Sequence, residues 1–202
     1  MFCAVLRLGT GLFQELRAAL SSILDAERKV LLHDMLVRPA RLRDAEALQR
    51  HCYPAVSLDD VRDYLAWCLR QAKKGRILRL VAEVDGQVVG NSQLTVWGQV
   101  GEIGSLVVAE AHRQHGVARK LLVALIAEAR QRGLVAVELS ASEEQPAILA
   151  FYERMGFRRI QDQKRRLSHP ALPETTVQLR MSFQDPQGER ALGRETQSGC
   201  DG

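Results

Sequence analysis

No stretch of about eighteen consecutive apolar residues occurs in this chain, so no segment is a candidate membrane span. The start, MFCAVLRLGTGLFQEL, lacks a basic region ahead of its apolar part, which argues against a secretory signal. Cysteine is sparse. The four residues Cys3, Cys52, Cys68 and Cys200 form no C-x-x-C pair and no disulfide framework. Cys52 and Cys68 fall in apolar-periodic stretches and read as buried, reduced thiols, so a cytoplasmic protein is expected. No metal site is expected. Charge of one sign is not concentrated either: 28 Lys and Arg face 24 Asp and Glu, for a net charge of +4, and the basic residues are scattered. That pattern excludes a nucleic-acid footprint, although a mild positive field still favours an anionic ligand. Both common nucleotide motifs are missing. There is no G-x-G-x-x-G after a strand, and no glycine-rich loop ends in Gly-Lys-Ser/Thr.

What is present fits one globular domain. The 202 residues are 46% hydrophobic and 26% charged. Residues 1–36 form an N-terminal extension with two open readings. One is an extra helix, from the spacing of Leu16, Leu20, Ile23, Leu24 and Leu31; the other is a natural start at Met35 with a partly disordered lead. The domain proper is expected over 37–183. From Gln184 the chain loses apolar period and reads as a disordered tail over 184–202.

Within the domain the pattern is sharp. LVRPAR reads as an edge strand, because Pro39 is tolerated only at an edge or a bulge. Asp44 is expected to cap a helix through His51, which Tyr53-Pro54 breaks. A second helix follows Ser57, with Asp60 in the capping-box position. It carries a stripe of Val61, Tyr64, Leu65, Cys68 and Leu69 and stops at Gly75. RILRLVAEV and QVVGNSQLTVW alternate as strands around an Asp85-Gly86 hairpin turn. EIGSLVV is the next strand. A helix to about Arg132 follows, burying Leu121, Leu122, Leu125, Ile126 and Ala129. LVAVELS is a buried strand. Pro146 opens a helix through about Arg154 that Gly156 ends. FRRIQDQKRRL and TTVQLRMSF close the sheet as a pair. The order βααβββαβαββ predicts an α/β (α+β) fold, a mixed and mostly antiparallel sheet flanked by helices. Trp67 and Trp97 read as packing residues.

RQHGVARKLL, Arg113 to Leu122, joins a strand to a helix. A helix start exposes unpaired N–H groups and a partial positive charge, which together make an anion site. Gly116 and Ala118 let the backbone approach closely, and Arg113 and Arg119 add charge. On the residues alone this is either a plain turn or a phosphate cradle.

R-Q-H-G-V-A resembles the Q/R-x-x-G-x-G/A signature of the GNAT superfamily of N-acetyltransferases. AILAFYERMGF, downstream, is similar to a second segment of that family, and the resemblance runs from about Leu36 to Phe183. It implies an acetyl-CoA site. The strand residues Leu106, Val107 and Val108 would bind pantetheine through their backbone. The turn residues Gln114, His115, Gly116, Val117, Ala118 and Arg119 would hold the pyrophosphate on their amides, with Arg113 at the motif's first position. Gln145 stands where family members often carry Asn at the pantetheine or the acceptor. The resemblance also implies that Tyr152 protonates the departing thiolate and that the Val108 N–H serves the oxyanion.

An attacking amine must be neutral, and a lysine-like amine with a pKa of about 10.4 is mostly charged at pH 7. Glu102 is the expected base. It lies six residues before Val108, so a period of two is expected to put both on the same strand face. Glu138 is a weaker candidate. His115 reads as a solvent-facing turn residue. The expected activity is transfer of acetyl from acetyl-CoA to a primary amine in a ternary complex, with a non-catalytic acetyl-CoA-binding regulatory module as the alternative. The acceptor, a small molecule or a protein, is expected between the helices spanning Asp44 to Lys74 and the loop around His169 to Pro173. A homodimer is compatible with the resemblance.

Overall fold

The computed structural model of the chain describes residues 35–160 and 176–183. The expectations for residues 1–34, for the loop holding His169 to Pro173 and for the tail after Phe183 lie outside the described residues.

Seven strands form one sheet in the order β1-β2-β3-β4-β5-β7-β6. They are β1 (Leu36–Pro39), β2 (Ile77–Val84), β3 (Gln87–Trp97), β4 (Val100–Val108), β5 (Ala136–Ser142), β6 (Arg158–Arg159) and β7 (Thr176–Ser182). All neighbours are antiparallel except β4 and β5. Helices α1 (Ala45–Cys52) and α2 (Leu58–Ala72) cover one face. Helices α3 (Val117–Gln131) and α4 (Pro146–Arg154) pack on the other. The expected order of elements and the mixed sheet are both observed.

Local chemistry explains the boundaries. Ser57 Oγ accepts the Asp60 N–H at 3.1 Å and donates to its carboxylate at 2.6 Å, which starts α2. Asp85 and Gly86 both have positive φ, as the tight hairpin between β2 and β3 demands. The expected α3 stripe is fully buried, from Leu121 to Ala129. Each of its large apolar side chains contributes roughly 1.5–3 kcal/mol on leaving water.

Asp44 departs from expectation. A 3-10 turn at Leu42–Asp44 already runs into α1, so Asp44 lies inside the helical run and makes no cap there. Its buried carboxylate instead accepts the Arg41 N–H at 2.7 Å and two bonds from Arg38 at 2.8 and 2.9 Å. Arg38 also binds Glu83, so the first helix is clamped to β1 and β2. The tryptophans differ as well. Trp67 and Trp97 are 41% and 48% exposed rather than packed inside.

Candidate active site

The parallel contact between β4 and β5 is short. It runs only from Val100 opposite Ala136 to Glu102 opposite Glu138, while β4 continues to Val108 and β5 to Ser142. Past Glu102 the two strands have no ladder between them, and a gap opens in the middle of the sheet. The backbone decides what faces it. The Ala109 N–H bonds Val89 on β3 at 2.8 Å, so alternation directs the N–H groups of Leu106 and Val108 to the open edge. The Val107 amide points back to β3, and its side chain packs against the α1–α2 core.

A bulge interrupts β4. Gln93 opposes Gly104 but Asn91 opposes Val107, so β4 has one extra residue there, and Ser105 takes φ 51°. The bulge reverses the alternation. Ile103, Leu106 and Val108 all pack toward the α3 core, whereas Glu102 lies on the α1–α2 face. Glu102 and Val108 are therefore on opposite faces, contrary to the unbroken period of two.

The turn after β4 has the geometry of an anion cradle. Gln114 has φ 64°, and Gly116, the residue before α3, has φ 80° and ψ 0°. Glycine suits that left-handed position. The first α3 bond goes from the Lys120 N–H to the Gly116 carbonyl, so the amides of Val117, Ala118 and Arg119 have no partner within the helix. The fit is close beneath them: a Cβ on Gly90 of β3 would stand 3.1 Å from both the Val107 carbonyl and Val117 Cγ1. A cavity of about 460 Å³ opens on this turn. Val108, Arg113, Gln114, Gly116, Val117, Ala118 and Arg119 line it, all expected from the sequence. Arg113 lies across the strand end, its Nε donating to the Val108 carbonyl at 3.3 Å.

Other expected residues are placed differently. His115 is half-buried, not solvent-facing. It is off the cavity lining, and its Nδ1 is buried without a partner. Gln145 is exposed at the start of α4 and makes no side-chain cap. Tyr152 is 9% exposed on α4, its ring against Phe151 and Phe157. Burial pushes its phenol above the ordinary tyrosine value. Glu102 accepts the Trp97 indole N–H at 2.9 Å. Glu138, beside it on β5, is buried and bonded to Arg180 at 2.5 Å, which makes it a structural ion pair.

Sequence reasoning missed two groups. From α4, Ala147, Ile148, Phe151 and Arg154 wall the turn cavity. Their spacing (i, i+1, i+4, i+7) is one helix face, and its exposure would have been the signal. On the opposite side of the sheet a second cavity, of about 320 Å³, lies under α1 and α2. Its wall includes Arg79, Tyr53, Tyr64 and the bulge residue Ser105. Arg79 and Gln93 are cross-strand partners, and Asn91 follows two residues on. The polar run Asn-Ser-Gln in a strand that is otherwise apolar was the trace of this in the sequence.

A family model described as the acetyltransferase (GNAT) family matches residues 42–157, more than half of the chain. Solved structures show the same fold. PaiA N-acetyltransferase from Thermoplasma acidophilum, solved with coenzyme A, is 14% identical with a TM-score of 0.58, over 74% of this chain and 99% of that one. The ribosomal-protein-alanine N-acetyltransferase of Brucella melitensis is 24% identical with a TM-score of 0.60, over 73% and 99%. YncA of Salmonella typhimurium, solved with acetyl-CoA as its cofactor, is 21% identical with a TM-score of 0.59, over 75% and 95%. The sheet opened beside β4, the helix-start cradle and the family match agree: this chain belongs to the acetyltransferase (GNAT) family.

Proposed function

We propose that this protein is an N-acetyltransferase that passes acetyl from acetyl-CoA to a primary amine by direct attack in a ternary complex. One observation carries the reading. The N–H of Val108 faces a gap in the sheet, and that gap adjoins a cavity lined by Arg113, Arg119, Arg154 and the first amides of α3.

The residues present suit coenzyme A. A pyrophosphate requires donors and positive charge, and the turn offers unpaired amides and arginines. When bound, acetyl-CoA supplies a thioester whose acyl carbon bonds the amine nitrogen as its C–S bond breaks. The chain's own groups answer the charges that arise. Val108 donates its N–H where the acyl oxygen becomes negative. Tyr152, kept protonated by burial, donates to the sulfur as it departs. Glu102 takes the proton from the amine, directly or through water. Its position on the α1–α2 face puts it on the side of the second cavity, where an acceptor would lie. The buried free thiols of Cys52 and Cys68 suit the reducing cytoplasm.

The deciding experiment is free-thiol release from acetyl-CoA across a panel of amines, with the wild type and Tyr152→Phe. Amine-dependent release that drops in Tyr152→Phe is expected. Tight coenzyme A binding with no transfer to any amine would mark a regulatory module instead.

A further inference from the structure

Arg79 on β2 is 5% exposed, yet among the described residues it makes no ion pair. All its partners are neutral. Nη1 donates to Gln93 Oε1 at 3.1 Å, and Nη2 donates to the Tyr53 hydroxyl at 3.0 Å and to Asn91 Oδ1 at 2.5 Å. The Tyr64 ring lies 5.2 Å from its Cζ. A buried cation normally has a counter-charge, because desolvating it alone is costly.

The amide oxygens that hold it are already shared. Gln93 Oε1 also takes bonds from Tyr64 and Cys68, and Asn91 Oδ1 also takes the Tyr53 hydroxyl. One donor remains over: Arg79 Nε is buried without a partner. The orientation of Asn91 is secure, since flipping it would turn its NH₂ toward the guanidinium. Asp60 also lies in the cavity wall, its carboxylate bonded to the Ser57 hydroxyl and in no ion pair with Arg79. The cavity of about 320 Å³ thus has mostly apolar walls and the buried positive charge of Arg79 in its lining. The missing component is a negatively charged acceptor of hydrogen bonds.

We infer that Arg79 binds a carboxylate on the acceptor, so that the substrate is a small amino acid-like molecule rather than a polyamine or a protein lysine. This rests on the N-acetyltransferase reading above and names its substrate class. A cavity this size is at the low end for ligand sites and suits a compact molecule. Arg79 repels an ammonium, so the molecule enters carboxylate first. Its amine is then directed away from Arg79, and Ser105 brings the β4 bulge, next to the gap, into the wall of the same cavity.

The test pairs amines that differ only at the anion: amino acids against their carboxamides and methyl esters, read by thiol release with wild-type enzyme. The acids are expected to exceed the amides and esters by roughly 100-fold in kcat/KM. In Arg79→Gln the acids should fall by about as much while the amides stay level, with acetyl-CoA affinity unchanged. If that variant does not fold, the wild-type comparison still decides. Efficient transfer to amides, esters or polyamines at the acids' rate would overturn the inference and leave the N-acetyltransferase reading standing. No transfer to any amine would overturn both.

Discussion

The two faces of the sheet are built in different ways. On the α3 side the core is large, with twenty-one buried residues against eight under α1 and α2 among the described residues. The candidate coenzyme cradle on that side is made mainly of backbone: strand-edge amides, a left-handed glycine and a helix start. The cavity proposed for the acceptor on the α1–α2 side is marked instead by side chains, a buried arginine held by Tyr53, Asn91 and Gln93. A backbone site needs a specific shape and so leaves a recurrent motif. A side-chain site can be built from many residue combinations and leaves little trace.

The comparison breaks most visibly at Gly116. Gly116→Asp should weaken acetyl-CoA binding by roughly 1,000-fold, because a carboxylate would stand at the anion cradle. Its φ of 80° strains any side chain, so Gly116→Asn is the control. Asn tolerates the left-handed region and carries no charge. Titration calorimetry should show Asn clearly tighter than Asp; equal losses would mean that strain, not charge, explains the effect.

At the residues proposed for proton transfer the expected effects are smaller. Tyr152→Phe should lower kcat by roughly 100-fold with little change in acetyl-CoA affinity. Burial raises the Tyr152 pKa above its ordinary value of about 10, so the wild type should keep its proton, and its activity, beyond that pH. The alkaline decline should vanish in the Phe variant. Glu102→Gln should cost about 10-fold in kcat and make the rate depend more steeply on pH, as the amine would then have to arrive neutral. An unchanged pH profile would remove Glu102 from the mechanism.

These sites were unequally legible in the sequence. The turn from Arg113 to Arg119 was legible as a strand-to-helix turn because Gly116 and the helix start shape it, and the family resemblance, not the residues alone, favoured a phosphate cradle over a plain turn. The order of elements along the chain followed from alternation, the Asp85-Gly86 turn and the apolar run of β5. The face of Glu102 could not be read, since a bulge adds one residue without any necessary change of composition. Ser105 adopts its positive φ with no glycine to mark it. Arg79 was silent for another reason. Alternation places it facing a helix layer, but only the fold shows that its neighbours are Tyr53, Asn91 and Gln93 and that no carboxylate is among them.

The last test asks whether the two faces also differ in rigidity. Asp44 ties α1, which helps to wall the cavity holding Arg79, to Arg38 on β1. Burial by itself would raise the Asp44 pKa, but the bonds from Arg38 and the Arg41 N–H outweigh it and hold the carboxyl below its ordinary value. A lowered pKa stabilises the fold above the unfolded value of about 4. That contribution is lost as pH falls through the lower folded value. Asp44→Asn should cost about 2 kcal/mol at neutral pH, and its stability should vary less with pH below 4 than that of the wild type. Hydrogen exchange should quicken in α1 and hardly change in α3, whose buried stripe does not depend on Arg38. Equal quickening in both helices would mean that the sheet transmits the loss and that its two faces are one cooperative unit.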